Sequence, residues 1–500
     1  MLKSWREVVL CSTLALVVSS CASGSDDGGP GPAIVPVDPA MSTLSSSATT
    51  LTADGVATQV LIVQPRSASG ANLNVAGLPV DITRTSGTGT IGAVSFDATS
   101  GTYRATVTAP AIMQPLANGT GAFAATIAGT PVRGGALTAT AVTLTYTAVA
   151  NPVTTASVAT AARVGASPIA AGGANDVYDL MASIGDSWRI SLAKTGSAFT
   201  LQVLSTQYGL TNASGTFTKA TSTDGVVTTY TSTTAGATFQ LDVDARTQSV
   251  AGGVTLSTRT SAVAGTGYKS GALSALAGDY TYASFTTGTA GAATTMGSLR
   301  ISAAGVLTIC TAGFVADATT CSLFAGGQAA ALSGFTTSVL SNGLIHKSRN
   351  GNDFGDLTVQ AGDRGVVLMI DRYGPDPVQP ALQSRGMGIG VPQTALAGTE
   401  ANGTWECFAD GTRVRRAVVN GTQITTSAIN GSDASSETLQ YNRVATGLNT
   451  TVTVNGVMNS RYAVPGDQTT NAYVIPASAA SLIVGGQGFP PGLAFICSRR

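Results

Sequence analysis

The chain has 500 residues, enough for several domains that each bury a core of their own. Only 10% of them are charged, and 26 Lys and Arg balance 26 Asp and Glu, which excludes capture of nucleic acid or of an anionic membrane surface by charge. The 43% of hydrophobic residues argues against disorder over most of the length. Val and Thr are abundant while Glu and Lys are scarce, which predicts an all-β fold.

The first 21 residues are similar to a bacterial lipoprotein export signal. After a short basic start, residues 8–18 are mostly apolar, and residues 18–21 read VSSC, which resembles the lipobox, a small-residue cleavage site directly before a cysteine. The apolar run is too short to span a bilayer comfortably, which favours a cleaved signal over a permanent helix. The resemblance implies a signal peptide at 1–21 and a lipid anchor, palmitate included, on Cys21.

Residues 22–44 are rich in Gly and Pro and have no hydrophobic periodicity, which predicts a flexible tether between the lipid and the first domain. An Asp directly after the lipidated cysteine is associated with retention in the inner membrane of enterobacteria. That position is Ala22 here, so the resemblance favours the outer membrane as the site of the anchor. The expected location is therefore the bacterial cell envelope.

Residues 45–148 have the clearest domain signal. Apolar and polar residues alternate in four runs separated by Gly, Pro and Asn, at residues 57–63, 79–83, 103–108 and 142–146. Alternation of this kind with frequent turn residues is typical of an antiparallel β-sandwich.

Three pieces of this domain resemble the bacterial Ig-like repeats of the invasin and intimin family. They are TADG at 52–55, GTYRATV at 101–107 and GTGAFAATI at 119–127. The loop SASGAN at 67–72 departs from the family, which usually has an acidic residue followed by Gly-Asn there. The resemblance implies an Ig-like fold, a spacer role, and adhesion to a surface protein or glycan.

Beyond residue 150, a connector rich in Thr and Ala leads into further sequence with strand alternation, at residues 188–192, 199–203 and 239–243. A short repeat, ALAGDY at 275–280 and ALAGTE at 395–400, precedes strand-like sequence both times and suggests two module starts. We therefore expect three antiparallel β modules, each a sandwich or a small barrel, at 151–274, 275–394 and 395–500.

Six cysteines are present, of which Cys11 lies in the signal and Cys21 is the proposed lipid site. An even number in the remainder of an exported chain indicates two disulfides, and four cysteines allow three pairings. We prefer Cys310 with Cys321, which closes a short loop, and Cys407 with Cys497, which ties the two ends of the last module together. Zinc binding by the four thiols is the alternative, but no C-x-x-C spacing is present.

Candidate catalytic residues are few, because His346 is the only histidine. Residues 184–187 (IGDS) resemble the nucleophile block of the Gly-Asp-Ser-Leu esterases, but His346 lacks the Asp three residues before it that those enzymes have. Without a base Ser187 is an ordinary hydroxyl at a turn before a strand. We expect His346 at the protein surface, and no catalytic site.

Other candidates have both a functional and a structural interpretation. Asn350, Asn352, Asp353 and Asp356 form a weak Ca²⁺ candidate, although a tight turn selects the same residues. Paired carboxylates of a polysaccharide hydrolase would come from Asp242, Asp244 or Glu406, but two Asp on one strand face indicate a solvated face.

Two tryptophans and one basic run complete the candidates. Trp188 and Trp405 would stack on sugars if exposed, and core packing is the alternative that we favour. The basic run RVRR at 413–416 is explained by an exposed strand edge that charge keeps soluble.

The sequence thus predicts a non-enzymatic envelope lipoprotein without a cofactor, with a binding, adhesion or structural role. A surface or periplasmic hydrolase acting on polysaccharide and a lipocalin-like carrier of small molecules are the alternatives. A cleft with two carboxyl groups would favour the hydrolase, and a closed barrel with an apolar cavity would favour the carrier.

Overall fold

The structure, a computed structural model, describes residues 35–289, 291–375, 381–446, 450–462, 470–486 and 492–500. Cys21, the rest of the predicted signal and the first part of the tether lie outside the described residues. The chain divides into two compact units, Met1–Thr49 with Thr58–Thr108 and Gly121–Leu144, and Thr50–Ala57 with Ala109–Thr120 and Thr145–Arg500. No helix within the described ranges has the length and apolar character needed to cross a membrane.

Ten strands lie before residue 150, and they confirm the predicted N-terminal sandwich. They are β1 (Thr43–Ser46), β2 (Thr50–Ala53), β3 (Thr58–Gln64), β4 (Val80–Gly87), β5 (Thr90–Ile91), β6 (Ser95–Asp97), β7 (Thr102–Thr108), β8 (Gly119–Ile127), β9 (Thr130–Pro131) and β10 (Ala141–Ala148). One sheet has the order β1-β3-β7-β5 with β6 beside β7, and the other has the order β2-β10-β8-β4 with β9 beside β8. All four runs of predicted alternation are strands.

The alternation of side chains along a strand explains which residues of these strands are buried. In β8 every second residue is buried, Phe123 and Ile127 among them, while the intervening residues are partly exposed. Tyr103 on β7 is buried, and its hydroxyl accepts a hydrogen bond from the Leu78 amide at 2.7 Å and donates one to the Val75 carbonyl at 2.9 Å. The ring therefore fixes the long connection that leads into β4.

The Thr- and Ala-rich connector after residue 150 contains a helix, α1 (Pro152–Arg163), which the sequence analysis did not predict. Asn151 caps it, because the side-chain oxygen accepts a hydrogen bond from the Val153 amide at 3.0 Å, and Pro152 occupies the first turn, where its missing N–H costs nothing. The pair Asn151-Pro152 is a signal for the start of a helix, but the Thr-rich composition of the segment disfavours a helix and concealed that signal.

Eleven strands follow between residues 167 and 269. They are β11 (Ser167–Pro168), β12 (Asn175–Ala182), β13 (Ser187–Ala193), β14 (Ala198–Ser205), β15 (Ala213–Thr216), β16 (Thr218–Thr221), β17 (Val227–Thr234), β18 (Ala237–Asp244), β19 (Ser249–Leu256), β20 (Arg259–Thr266) and β21 (Tyr268–Lys269). Strands β12 to β20 form a nine-stranded sheet of order β15-β14-β13-β12-β20-β19-β18-β17-β16, and β11 pairs with β21. Only Phe217 separates the two edge strands in sequence, so the sheet curls around its own core.

After a 3-10 helix at Leu273–Leu276, the chain forms an eight-stranded sheet and a three-stranded one. Their strands are β22 (Gly278–Gly288), β23 (Gly291–Ile301), β24 (Leu307–Cys310), β25 (Gly313–Val315), β26 (Thr320–Leu323), β27 (Gln328–Ala330), β28 (Phe335–Val339), β29 (Ile345–Arg349), β30 (Asn352–Gly362), β31 (Gly365–Arg372) and β32 (Ser384–Pro392). The larger sheet has the order β24-β23-β22-β32-β31-β30-β29-β28, and the smaller one has the order β25-β26-β27. A disulfide joins Cys310 to Cys321, as we expected.

The last eight strands close into a barrel in chain order. They are β33 (Gly403–Ala409), β34 (Thr412–Asn420), β35 (Gln423–Ala428), β36 (Ser435–Thr446), β37 (Thr450–Tyr462), β38 (Thr470–Pro476), β39 (Ser481–Gly486) and β40 (Phe495–Arg499). Antiparallel pairing of β33 with β40 completes the closure, and the second expected disulfide joins Cys407 to Cys497 across it.

One hydrophobic core joins the nine-stranded sheet, the eight-stranded sheet and the outer wall of the barrel. Met181, Phe285, Met387, Phe408 and Ile483 belong to it, and all are almost completely buried. Close packing depends on glycine at one point, since a Cβ at position 485 of the barrel would lie 2.1 Å from the ring of Phe285. The barrel is therefore seated directly on the two sheets.

Candidate binding cavity in the barrel

Among the described residues, side chains fill the barrel at one end. Where β33 begins, the inward-facing residues Trp405, Val419, Leu439, Met458 and Leu482 are buried and belong to one cluster. The Trp405 indole N–H donates to the Ala401 carbonyl at 2.7 Å, which satisfies its polar atom inside this core. Both tryptophans are completely buried, so their favoured interpretation as core residues agrees with the structure.

At the other end the barrel encloses a cavity of about 360 Å³, within the size range of ligand pockets. Its walls are mainly apolar and include an inward-facing residue from nearly every strand. The lining residues are Cys407, Arg415, Ala417, Ile424, Thr426, Asp433, Ser435, Glu437, Ser460, Ala472, Val474, Val484 and Phe495.

Two carboxyl groups line this cavity, the exposed Asp433 and the half-buried Glu437. Glu437 on β36 is half-buried, and it accepts a hydrogen bond from the hydroxyl of Ser460, which is 2% exposed. Burial raises the pKa of Glu437, and the hydrogen bond from Ser460 opposes that shift. Among the side chains that the structure describes, no Lys, Arg or His forms an ion pair with the Glu437 carboxyl group.

Sequence analysis missed Glu437. Strand alternation points Ser435, Glu437 and Leu439 to the same side of β36, but whether that side faces a lumen or solvent depends on closure of the barrel. One signal was present in the sequence: Glu437 lies two residues before Leu439, a residue type usual in a core, so both side chains lie on the same face of the strand.

The carboxylates that we considered for polysaccharide hydrolysis lie in an ionic cluster formed by Asp242, Glu406, Arg413, Arg416 and Arg500. Asp242 on the nine-stranded sheet is 1% exposed and binds Arg500 at 2.7 Å and Arg413 at 3.1 Å. Glu406 on the barrel binds Arg500 at 2.8 Å, Arg416 at 2.9 Å and Arg413 at 3.0 Å.

Two predictions are wrong at this cluster. The face of β18 is not solvated, because Asp242 and Asp244 are both buried, the latter paired with Arg246 at 2.7 Å. Residues 413–416 are not an exposed sheet edge, because β34 has a partner strand on each side. Burial raises the pKa of Asp242, and Arg500 and the hydroxyls of Ser498 and Thr229 oppose that shift.

Ser187 and His346 do not meet as a catalytic pair. Ser187 is buried and donates to a carboxylate oxygen of Asp371 at 2.7 Å. His346 is not a surface residue as we expected, because its ring is only 23% exposed and its Nδ1 lies 2.9 Å from Asp356. Ser187 and the partly exposed His346 therefore each pair with a buried acidic residue, Asp371 and Asp356 respectively.

Lys347 lies beside the same two acidic residues. Its ammonium group is buried and donates to the backbone carbonyls of Asp356 at 2.9 Å and Asp371 at 3.3 Å. Burial lowers the pKa of Lys347 to about 7, and the charges of Asp356 and Asp371 oppose that shift. Burial also raises the pKa of Asp371 well above its usual range.

The weak Ca²⁺ candidate lies at the turn between β29 and β30. Asn350 has a φ of +52°, Asn352 begins β30, and Asp353 and Asp356 both approach His346, with an Nε2 distance of 3.3 Å for Asp353. Within the described ranges, no group of three or more His, Cys, Asp or Glu side chains is placed to hold a metal ion. Calcium binding here stays a prediction.

Comparison with known proteins gives one family match, to the sequence model described as Invasin, domain 3, over residues 38–163. No curated protein matches the chain. Among solved structures, the Yersinia pseudotuberculosis adhesin InvE is 12% identical with a TM-score of 0.20, covering 81% of this chain and 95% of its own.

Two further solved structures are similarly distant. Invasin, described as a bacterial integrin-binding protein, is 13% identical with a TM-score of 0.19, covering 93% of this chain and 80% of its own. A mutant of transferrin binding protein B from Haemophilus parasuis is 7% identical with a TM-score of 0.15, covering 96% of this chain and 98% of its own. The family match has the predicted Ig-like sequence pieces and the two sheets of β1 to β10 within its range, so residues 38–163 contain an invasin-type Ig-like domain.

Proposed function

We propose that this protein is a lipid-anchored binding protein of the bacterial cell envelope, of the adhesin type. The observation that carries the proposal is the position of the invasin-type match, which begins at residue 38, near the end of the Gly- and Pro-rich segment 22–44 that follows the lipobox cysteine Cys21. In this arrangement the Ig-like domain is a spacer between the lipid and the β sheets that follow it. The outer membrane is the proposed site of the anchor.

The proposed role is non-enzymatic, with a surface protein as the partner. Three groups that sequence analysis considered for catalysis have structural partners instead: Ser187 bonds Asp371, Asp242 binds two arginines, and Glu406 binds three. A carboxylate engaged in this way is held by charge on several sides and is poorly placed to exchange a proton with a substrate.

The anchor is tested by membrane fractionation of cells that express Cys21→Ala. We expect the variant to appear in the soluble fraction, whereas wild type sediments with the membranes. Cys11→Ala is the matched control, because it changes a cysteine of the same signal that is removed on cleavage, and it should sediment as wild type does. Retention of Cys21→Ala in the membranes would contradict the proposal.

The adhesive role is tested by the attachment of cells that express wild type or Cys21→Ala to surfaces coated with extracellular-matrix proteins. Display at the envelope should give attachment above that of cells without the gene, and release of the protein by Cys21→Ala should abolish the excess. Equal attachment by all three strains would contradict adhesion.

The cavity favours a second function, the binding of a small molecule by the barrel. A closed barrel with a mainly apolar cavity of about 360 Å³ is the observation that favours this alternative over a polysaccharide hydrolase.

A further inference from the structure

The cavity of the barrel has an apolar wall and a polar group within it. Val474, Val484 and Phe495 form part of the wall, and Glu437 contributes its carboxyl group. Such a space favours a ligand with a hydrocarbon body, since burial of apolar surface stabilises a complex by about 25 cal/mol per Å² of contact before the costs of association.

The Glu437 carboxyl group determines which polar group the ligand would carry. Among the described side chains its hydrogen-bond partner is the hydroxyl of Ser460, a neutral donor that satisfies one of several lone pairs. A half-buried carboxylate gains more from a cationic partner than a fully solvated one does, and among the side chains that the structure describes no cation forms an ion pair with Glu437. A cationic ligand would supply that partner.

The two charged residues at the rim of the cavity do not supply that cation. Arg415 and Asp433 both line the cavity, both are exposed to solvent, and they have opposite charges. Their charges are screened by water, so Glu437 is the charge that determines selectivity inside the apolar part.

We infer that the barrel binds a small organic amine, with the ammonium group against Glu437 and the hydrocarbon part against Val474, Val484 and Phe495. Ser460 lies on the neighbouring strand β37, and its hydrogen bond holds the Glu437 carboxyl group in place, so Ser460 acts as a positioning residue. The inference deepens the small-molecule function of the barrel and does not depend on the lipid anchor.

The experiment is calorimetric titration of the purified full-length chain with hexylamine, hexanol and hexanoate, three probes of one chain length that differ in charge. We expect saturable binding of hexylamine that is at least tenfold tighter than that of hexanol, and no saturable binding of hexanoate. Comparable binding of hexanol, or tighter binding of hexanoate, would overturn the inference, as would the absence of any saturation by hexylamine.

Glu437→Gln tests the residue, because it keeps the shape of the side chain and removes its charge. Hexylamine should bind at least tenfold more weakly to it, while Asp81→Asn, which removes an exposed carboxyl group from β4 of the Ig-like domain, should bind as wild type does. Unchanged affinity of Glu437→Gln would place the amine elsewhere and overturn the assignment.

Ala472→Leu provides a second variant that leaves the charge intact and fills part of the cavity. It should weaken hexylamine and hexanol to the same extent, and no loss for either would show that the ligand does not enter the lumen. Neither outcome depends on Cys21, so failure of amine binding and failure of the anchor are separate results.

Discussion

Carboxyl groups on the two sides of the barrel wall have opposite surroundings. Against the outer side, Asp242 and Glu406 share Arg413 and Arg500, and Glu406 also binds Arg416. The hydroxyls of Ser498 and Thr229 also donate to Asp242. On the inner side, the partner of Glu437 among the described side chains is the hydroxyl of Ser460. Asp242 and Glu406 are thus held by cations that stabilise the fold, whereas Glu437 is available to a ligand, although Glu406 and Glu437 lie in the same barrel.

The largest effect is expected from removing the cations on the outer side. Arg413→Met combined with Arg500→Met leaves Asp242 buried without an ion-pair partner, and we expect a loss of about 3–5 kcal/mol in the free energy of unfolding. Urea denaturation measures it. Arg415→Met with Arg443→Met, two exposed barrel arginines, is the control and should change stability by less than about 0.5 kcal/mol. Equal stability of both double variants would remove the distinction between the two sides.

Lys347 is a buried cation, and its ammonium group donates hydrogen bonds to backbone carbonyls. Its pKa of about 7 lies below that of a lysine in the unfolded chain, so the unfolded state binds more protons between pH 7 and about 10.5. Stability should therefore rise with pH in that window, by at most about 1.4 kcal/mol per pH unit from this group. Lys347→Met should remove this contribution, as measured by urea midpoints at pH 7 and pH 10.

The exposed Lys219→Met is the control for this pH effect and should keep the wild-type dependence on pH. If Lys347→Met also keeps it, the ammonium group is not the source of the rise in stability.

Two adjacent residues of β39 compare the two sides of the wall directly. Gly485 faces Phe285, so Gly485→Ala should cost about 1–3 kcal/mol through overpacking. Val484 faces the cavity and is partly exposed, so Val484→Ala removes contacts beside space that is already empty and should cost less, about 1 kcal/mol. Thermal unfolding of both variants measures the difference in stability loss. A larger loss for Val484→Ala than for Gly485→Ala would mean that residue 484 faces the packed core and residue 485 faces the cavity.

The smallest effect is expected at Glu437 itself. Because burial raises its pKa, the folded state holds the proton more tightly than the unfolded chain, and the ionised form is disfavoured in the folded state at neutral pH. Glu437→Gln should therefore leave stability at pH 7 unchanged or slightly higher, by less than about 0.5 kcal/mol. A clear loss of stability in urea would show that Glu437 has a structural role and is not available to a ligand.

Local patterns predicted much of the fold. Alternation located strands such as β4, β13 and β18, and the parity and spacing of cysteines led to Cys310–Cys321 and Cys407–Cys497, both of which are bonded in the structure. These features depend on neighbours along the chain or on the count of one residue type, and a single sequence contains that information.

The features that sequence analysis missed depend on distant partners. Asp242 is buried because Arg413 and Arg500 reach it from 171 and 258 positions away, and no local pattern reports such a contact. Glu437 faces a cavity only because β33 and β40 pair and close the barrel. The same holds for the prediction of function. The Ig-like pieces are local and could be recognised in the sequence, whereas the position of the Glu437 carboxyl group in the barrel lumen could not.

The order of strands has a consequence for how the chain reaches its native state. In the nine-stranded sheet, the eight-stranded sheet and the barrel alike, the first strand pairs with the last: β12 with β20, β22 with β32, and β33 with β40. Each body therefore completes its pairing only after its whole length is present, and such high contact order predicts slow folding. In return, the ends of each body lie side by side, an arrangement in which circular permutation within one body would leave its neighbours undisturbed.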